Sequence, residues 1–211
     1  MKYMVSDEAR PLINLYARTP ASDMDLVRLS KGAVENAVGF VTVPAACLDR
    51  IWRWLENSSV KLCAVVSAGY GQDEVFRAIR AAVKDGADII EAAPPLDMLE
   101  SEAYISALSE GAGARALKIC IETDVLKSVE GIRRAARRIP KSVWIKTSSG
   151  RIRGSGLEDL HAVLESSENP VDFLFDTRVE NEYVIEAAYR LAARIKGAGW
   201  PAGNFMVSKL L

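Results

Sequence analysis

The stretch "ARALKICIETDVLKSVEGIRRAARRIPKSVWIKTSS", residues 114–149, contains one complete strand–helix–strand pattern. Residues 114–122 and 142–149 are short runs rich in apolar and β-branched side chains, and residues 128–139 between them space their apolar side chains as a helix does. Two strands joined by a helix are typical of a parallel sheet with right-handed crossovers. This part of the chain therefore predicts an α/β fold.

The same alternation continues in both directions along the sequence. Eight short runs predict strands, and their residue ranges are 11–19, 38–45, 61–69, 87–95, 114–122, 142–149, 171–179 and 203–211. They begin roughly 25 residues apart, as expected of a repeated supersecondary unit. Eight such units predict a closed (β/α)8 TIM barrel, and the lack of a glycine-rich dinucleotide fingerprint after the first run disfavours an open doubly wound sheet.

The domain organisation follows from what separates the runs. Residues 1–211 contain no linker, low-complexity tract or block of like charges, so we expect one domain. The eighth predicted strand, residues 203–211, closes the sequence. The barrel is therefore predicted to lack the helix that would follow this strand.

Composition argues against several classes of function. The chain has 27 Lys plus Arg and 28 Asp plus Glu, which does not indicate a nucleic-acid or membrane partner. Three cysteines without CxxC spacing and one histidine predict neither a disulfide scaffold nor a zinc site, and we expect no metal or other cofactor. The N-terminus has no continuous apolar segment, and no run is long enough to span a bilayer, so a cytoplasmic protein is expected.

Alternation along the predicted strands places charged residues inside the barrel. Alternate side chains of a barrel strand face the interior, and the others face the helices. In "ALKICIET" and "SVWIKTSS", Lys118 and Lys146 alternate with apolar neighbours. The same alternation directs Glu91 and Asp176 inward. The predicted interior thus carries two lysines and two carboxylates on consecutive strands.

Two interpretations of these charges are open. Unpaired charges inside a barrel are costly, so the four side chains could form an ion-pair network that serves the structure alone. A lysine that is desolvated or close to another cation also loses its proton more easily, and its amine is then a nucleophile toward carbonyl groups. Lys118 and Lys146 on adjacent strands supply such an arrangement.

Four segments of the sequence resemble the deoxyribose-phosphate aldolase family. They are "DGADIIEAAPP" (85–95), "LKICIET" (117–123), "WIKTSSG" (144–150) and "FMVSKLL" (205–211). The order and spacing of all eight strands resemble that family too, and the fifth and sixth strands are the most similar. The resemblance implies a class I aldolase on a (β/α)8 barrel, which cleaves 2-deoxyribose 5-phosphate to glyceraldehyde 3-phosphate and acetaldehyde without a metal.

The resemblance also implies roles for particular residues. Lys146 matches the nucleophile that forms the Schiff base, and Lys118 matches a neighbouring cation or member of the proton relay. Glu91 stands where the family has an aspartate of that relay. The loop that holds part of the substrate phosphate corresponds to Ser149, Gly150 and Arg151, and a loop of this kind offers backbone N–H groups to an anion.

The first, seventh and eighth strands depart from the family pattern. The family has a second active-site lysine on the seventh strand, and we align Asp176 of this chain with it. A paired glycine loop that follows in the family is missing here, and Arg178 and Lys209 are candidates to hold the phosphate instead. Asn14 replaces an aspartate of the first strand, and Ser208 keeps a hydroxyl on the last one.

The charge reversal at the seventh strand leaves two outcomes for the nucleophile. Asp176 beside Lys146 would stabilise the ammonium form, whereas Asp176 beside Lys118 would leave Lys146 to be activated by burial. Our leading hypothesis is a Schiff-base aldolase that acts on a small phosphorylated sugar or aldehyde, with assembly into a homo-oligomer left open. The alternatives are a diverged barrel that binds a small phosphorylated ligand without aldolase activity, and a Schiff-base lyase with a different substrate.

Overall fold

The structure, a computed structural model, describes residues 13–17, 21–66, 72–126, 128–150, 154–175 and 183–210. Within them, eight parallel strands form a closed barrel in which each strand pairs with its neighbours in sequence and β8 pairs with β1. The strands are β1 (Ile13–Tyr16), β2 (Phe40–Pro44), β3 (Lys61–Val66), β4 (Ile89–Ala92), β5 (Ala116–Cys120), β6 (Trp144–Lys146), β7 (Val171–Leu174) and β8 (Phe205–Leu210). The predicted (β/α)8 TIM barrel is confirmed.

Helices follow the strands around the outside of the barrel. They are α1 (Asp23–Glu35), α2 (Leu48–Leu55), α3 (Gln72–Lys84), α4 (Glu102–Ala112), α5 (Thr123–Leu126), α6 (Val129–Arg138), α7 (Leu157–Ser166), α8 (Tyr183–Lys196) and α9 (Pro201–Asn204). Short 3-10 helices precede α2 and α4, at Ala45–Cys47 and Leu96–Glu100. No helix follows β8 within the described ranges, as the sequence predicts.

Local sequence fixes where several helices begin and end. Ser22 begins α1 with a capping box, in which its side chain accepts from the backbone N–H of Asp25 and the Asp25 carboxylate accepts from that of Ser22. Ser128 caps α6 by accepting a hydrogen bond from the backbone N–H of Gly131. After α3, Gly86 takes a φ of 93°, a left-handed conformation that is easy only for glycine and turns the chain toward β4.

Side chains alternate between two environments along the strands. Leu117, Ile119 and Ile145 point outward and are buried in the layer between the sheet and the helices. Inside the barrel, a smaller apolar cluster occupies its N-terminal half, and its members are Phe40, Cys63, Ile89, Ala116, Trp144 and Met206. This cluster fills the lower part of the interior, so the buried polar side chains lie above it, toward the C-terminal ends of the strands.

Two features are absent from the described part of the chain. None of its helices combines the length and the apolar character that crossing a bilayer requires. In the same residues, no group of three His, Cys, Asp or Glu side chains is placed to hold a metal ion.

Candidate functional site

Four charged side chains meet inside the barrel, and we call them the lysine–carboxylate network: Glu91 on β4, Lys118 on β5, Lys146 on β6 and Asp172 on β7. All four are fully buried. The strand register brings them together, because Glu91 is aligned with Lys118 and Lys146 with Asp172. Four consecutive strands thus each contribute one charge to a single interior site.

The distances assign a principal partner to each lysine. Lys118 Nζ donates to Asp172 Oδ2 at 2.5 Å and lies 3.5 Å from Glu91 Oε2. Lys146 Nζ donates to Glu91 Oε2 at 2.9 Å and lies 3.9 Å from Asp172 Oδ2. Both carboxylates therefore contact both lysines, and the two cations balance the two anions.

Burial and the neighbouring charges together determine whether Lys118 and Asp172 are ionised. Burial alone lowers the pKa of Lys118, but attraction to Asp172 and to Glu91 outweighs it and raises this pKa above its usual value. Burial likewise raises the pKa of Asp172, but attraction to Lys118 and Lys146 lowers it overall. Lys118 is thus an ammonium and Asp172 a carboxylate at neutral pH.

A chain of hydrogen bonds from β2, β1 and β8 orients Asp172 from the side away from Lys118. Thr42 Oγ1 donates to Asn14 Oδ1 at 2.9 Å, and Asn14 Nδ2 donates to Ser208 Oγ at 2.7 Å. Ser208 Oγ then donates to Asp172 Oδ1 at 2.6 Å. One oxygen of Asp172 accepts from this chain and the other from Lys118, which fixes the carboxylate in one orientation.

Tyr16, the last residue of β1, covers the other pair. Its hydroxyl donates to Glu91 Oε1 at 3.2 Å, and the centre of its ring lies 3.9 Å from Lys146 Nζ. Burial, and next the charge of Glu91, raise the pKa of Tyr16 well above its usual value, so the hydroxyl keeps its proton. Glu91 therefore accepts from Lys146 with one oxygen and from Tyr16 with the other.

Two buried thiols lie close to the network. Cys63 Sγ is 4.0 Å from Glu91 Oε2, and burial raises its pKa to about 11. Cys120 is aligned with Lys146 in the strand register, and burial raises its pKa as well. Both cysteines are thus protonated thiols at neutral pH, and neither adds a charge to the network.

The loop after β6 satisfies backbone donors with its own and neighbouring side chains. The N–H of Ser149 donates to Glu122 Oε2 at 3.1 Å, and the N–H of Gly150 donates to Ser148 Oγ at 3.1 Å. Glu122 and Gly150 both have positive φ, 48° and 75°. Since this conformation is uncommon for a residue other than glycine, Glu122 occupies a locally strained position just beyond β5.

Comparison with known proteins finds similarity in structure alone. No family model matches the chain, and no curated protein matches it. Among solved structures, a protein of Toxoplasma gondii ME49 assigned as a deoxyribose-phosphate aldolase superposes with a TM-score of 0.81 at 16% identity, over 95% of this chain and 88% of its own. The chain has the fold of the deoxyribose-phosphate aldolases.

Two more solved structures agree with this result. The aldolase QR15 has a TM-score of 0.77 at 17% identity, over 97% of this chain and 92% of its own. The tetrameric deoxyribose-phosphate aldolase of Aeropyrum pernix has a TM-score of 0.73 at 16% identity, over 96% and 86%. The similarity to these aldolases spans nearly the whole barrel.

The structure brings some of the predicted site residues together and separates others. Lys118, Lys146 and Glu91 form the network, as their alternation predicts. Ser208 also lies inside the barrel, where it binds Asp172, whereas Lys209 follows on the opposite face of β8. Ser149 and Gly150 lie on the loop after β6. Three predicted residues, Arg151, Asp176 and Arg178, lie outside the described residues.

Sequence reasoning missed three side chains of the site. Asp172 stands at the same alternation as Leu174 and Asp176 on the seventh predicted strand, so the signal that directs it inward was present. Tyr16 shares the alternation of Asn14 in the same way. Glu122 has an inward alternation too, but its strained backbone and its bond to Ser149 leave no signal in the sequence.

Proposed function

We propose that the protein is a lysine-dependent aldolase in which Lys146 forms a Schiff base with a carbonyl substrate. The observation that carries this proposal is the division of the two buried lysines between two carboxylates. Asp172 holds Lys118 as an ammonium, and Lys146 instead contacts Glu91 at 2.9 Å. The fold shared with deoxyribose-phosphate aldolases supports the same reaction class.

The first step is the formation of a free amine. Lys146 transfers one proton to Glu91 Oε2, across their existing hydrogen bond. The positive charge of Lys118, which lies 3.5 Å from the same Glu91 oxygen, favours the neutral amine at Lys146 by repulsion of like charges. The amine then attacks the carbonyl carbon of the substrate. Glu91 returns its proton to the hydroxyl of this adduct, and the hydroxyl leaves as water to give the iminium.

The iminium then allows the carbon–carbon bond to break. Its positive nitrogen withdraws the electron pair of that bond, so one fragment leaves as an aldehyde and the other remains on Lys146 as an enamine. Glu91, hydrogen-bonded to Lys146, is the group placed to move protons in these steps. Protonation of the enamine carbon and hydrolysis release the second fragment and restore the lysine.

We further propose 2-deoxyribose 5-phosphate, or a related small aldose, as the substrate. In this proposal Ser149 and Gly150 supply backbone N–H groups to the phosphate, as the resemblance implies. Both N–H groups already bond to protein oxygens, so Glu122 and Ser148 must give way when an anion binds. Arg151 and Arg178 complete the proposed phosphate site.

A second candidate, a Schiff-base lyase for a substrate without phosphate, is favoured by Glu122. Its carboxylate accepts a hydrogen bond from the Ser149 N–H at 3.1 Å, in the place proposed for a phosphate, which is also negatively charged. The comparison that separates the candidates is cleavage of 2-deoxyribose with and without the 5-phosphate.

If the loop after β6 binds the phosphate, Glu122→Gln should lower KM roughly 2- to 5-fold for the phosphorylated sugar alone. The reason is that the substitution removes the negative charge of Glu122, which repels the phosphate. Glu110→Gln, exposed near the far end of α4, is the matched control. No change in the ratio of the two KM values would favour the candidate without phosphate.

Reductive trapping tests the proposed Schiff base. Protein incubated with acetaldehyde and borohydride is digested with trypsin, and an N-ethyl group on Lys146 is sought in the uncleaved peptide 142–151. Lys146→Arg keeps the charge but cannot form the imine, so it is the matched control, and Lys118→Arg tests the other lysine. A folded wild-type protein without an adduct on Lys146 overturns the proposed mechanism and leaves an ion-pair network or a ligand-binding barrel.

A further inference from the structure

Tyr16 contacts both members of the pair that carries the proposed proton transfer. Its hydroxyl donates to Glu91 Oε1 at 3.2 Å, and its ring centre lies 3.9 Å from Lys146 Nζ. Lys146 Nζ donates to the other oxygen of the same carboxylate. The side chain is only 7% exposed, so these contacts are made away from solvent.

The two contacts act in the same direction on the proton shared by Lys146 and Glu91. The face of an aromatic ring attracts a cation, and the attraction is larger when the pair is desolvated. A hydrogen bond donated to a carboxylate favours its charged form. Tyr16 therefore stabilises ammonium at Lys146 and carboxylate at Glu91, and its hydroxyl remains a donor because burial keeps it protonated.

We propose that Tyr16 is a positioning residue that stabilises the positive charge on the Lys146 nitrogen, first as ammonium and, after condensation, as iminium. The part of this proposal that concerns the iminium rests on the proposed function. The proton leaves Lys146 for Glu91, the amine adds to the carbonyl, and Glu91 returns the proton to the hydroxyl that departs as water. The positive charge then returns to the same nitrogen beneath the same ring, so Tyr16 favours the covalent intermediate over the free amine.

Other groups face Lys146 from the neighbouring strands, and they remain in place when Tyr16 is changed. The titratable ones are Cys63 on β3, Glu91 on β4, Lys118 and Cys120 on β5, and Asp172 on β7. Within the described residues, Tyr16 is the one aromatic side chain whose ring faces this amine. A change in the titration of Lys146 in Tyr16 variants is therefore attributable to the ring and hydroxyl.

The test is the titration of Lys146 itself, followed by NMR of its side-chain Cε and assigned with Lys146→Arg. Tyr16→Leu and Tyr16→Met both remove the ring, and either one suffices if the other does not fold. We expect Lys146 to lose its proton at a lower pH in these variants than in wild type. Tyr16→Phe, which keeps the ring and loses the hydroxyl, should shift the titration of Lys146 less.

The proposal is overturned if Lys146 titrates at the same pH in the folded ringless variants as in wild type. It is also overturned if Lys146 remains an ammonium up to about pH 11 in every protein. A role in packing alone would lower thermal stability without moving the titration, which circular dichroism on the same samples detects. Reductive trapping is run in parallel. Failure of wild-type protein to trap acetaldehyde removes the proposed function, whereas the NMR result decides the effect of Tyr16 on Lys146 independently.

Discussion

At the residue scale, the carboxylate of Asp172 has three charged or polar neighbours. It pairs with Lys118 at 2.5 Å, accepts from Ser208 at 2.6 Å and lies 3.9 Å from Lys146. It is fully buried, so none of these interactions competes with water. Removing its charge should leave Lys118 without its principal anion, and an uncompensated buried charge is strongly destabilising.

We expect Asp172→Asn to lower the free energy of unfolding by about 3–5 kcal/mol, because Lys118 stays buried and cannot be rehydrated. Urea unfolding followed by circular dichroism measures the change. Glu165→Gln is the control, because Glu165 pairs with Arg133 at 2.8 Å on the surface. This substitution should lower the free energy of unfolding by less than about 1 kcal/mol. Equal effects of the two substitutions would contradict the assigned importance of the buried pair.

The same pair predicts how stability depends on pH. The pKa of Asp172 is lowered in the folded protein. Its contribution to the free energy of unfolding is therefore present above its pKa in the unfolded chain, which is about 4, and is lost as pH falls through its pKa in the folded protein. The pKa of Lys118 is raised in the folded protein. Its contribution to the free energy of unfolding is therefore complete below its pKa in the unfolded chain, which is about 10.4, and is lost as pH rises through its pKa in the folded protein.

Unfolding free energy measured at pH values from about 7 to about 2 should therefore fall less steeply in Asp172→Asn than in wild type. An identical acid slope in the two proteins would assign the acid sensitivity to other carboxylates.

Alternation identifies which residues of a strand face inward but not which of them meet. Asp172, Leu174 and Asp176 share one side of the seventh predicted strand, and the alignment with the aldolase family selects Asp176 among them. The register of β7 with β6 aligns Asp172 with Lys146, whereas Asp176 lies outside the described residues. Register in a closed barrel depends on the stagger of all strands together, which no single segment contains.

At the element scale, β6 shows how a short strand is held in a barrel. Only Trp144–Lys146 are assigned to it, yet the next residue continues to bind the adjacent strand. The N–H of Thr147 donates to the carbonyl of Asp172, and Thr147 Oγ1 accepts from the N–H of Leu174 at 3.1 Å. The hydroxyl of Thr147 thus takes the place of a backbone acceptor at the point where the loop begins.

Thr147→Val should cost about 1–3 kcal/mol, because the buried N–H of Leu174 loses its acceptor while side-chain volume is kept. Thr147→Ser retains the hydroxyl and is the matched control, with the smaller loss expected of a removed methyl group. Thermal unfolding of the three proteins gives the ranking. If Thr147→Ser were the less stable variant, packing rather than hydrogen bonding would be the dominant contribution of Thr147.

Elements with a strong periodic pattern are the ones that sequence predicts well. All eight strands lie within their predicted runs, and α6 lies within the predicted helix 128–139, since each must bury one face against the barrel or the helical layer. The four-residue helices α5 and α9 were not predicted, because one turn is too short to display a period. The positive φ of Glu122 is likewise invisible, since a glutamate carries no preference for that conformation.

At the scale of the whole molecule, closure of the barrel depends on β8. This strand pairs with β7 on one side and with β1 on the other, and Val207 is aligned with both Phe173 and Ile13. Ser208 on the same strand links Asn14 to Asp172. The strand therefore completes both the sheet and the interior hydrogen-bond chain.

Val207→Pro should prevent cooperative folding, because proline removes a backbone donor from a strand that is paired on both sides. Val207→Ala keeps the donor and should cost roughly 1.5–3 kcal/mol for the lost apolar burial. Circular dichroism and urea unfolding distinguish a shifted transition from an absent one. A cooperative transition in Val207→Pro would mean that the barrel tolerates an open seam between its first and last strands.

The neutral balance of the lysine–carboxylate network has a consequence for the proposed covalent step. An ammonium and an iminium each carry one positive charge, and the condensation that converts one to the other releases a neutral water. The interior therefore holds two cations and two anions both before and after the substrate is attached. Fixed side chains cannot reorient as solvent does, and here they have no new charge to accommodate, so one rigid arrangement suits the resting site and its covalent adduct alike.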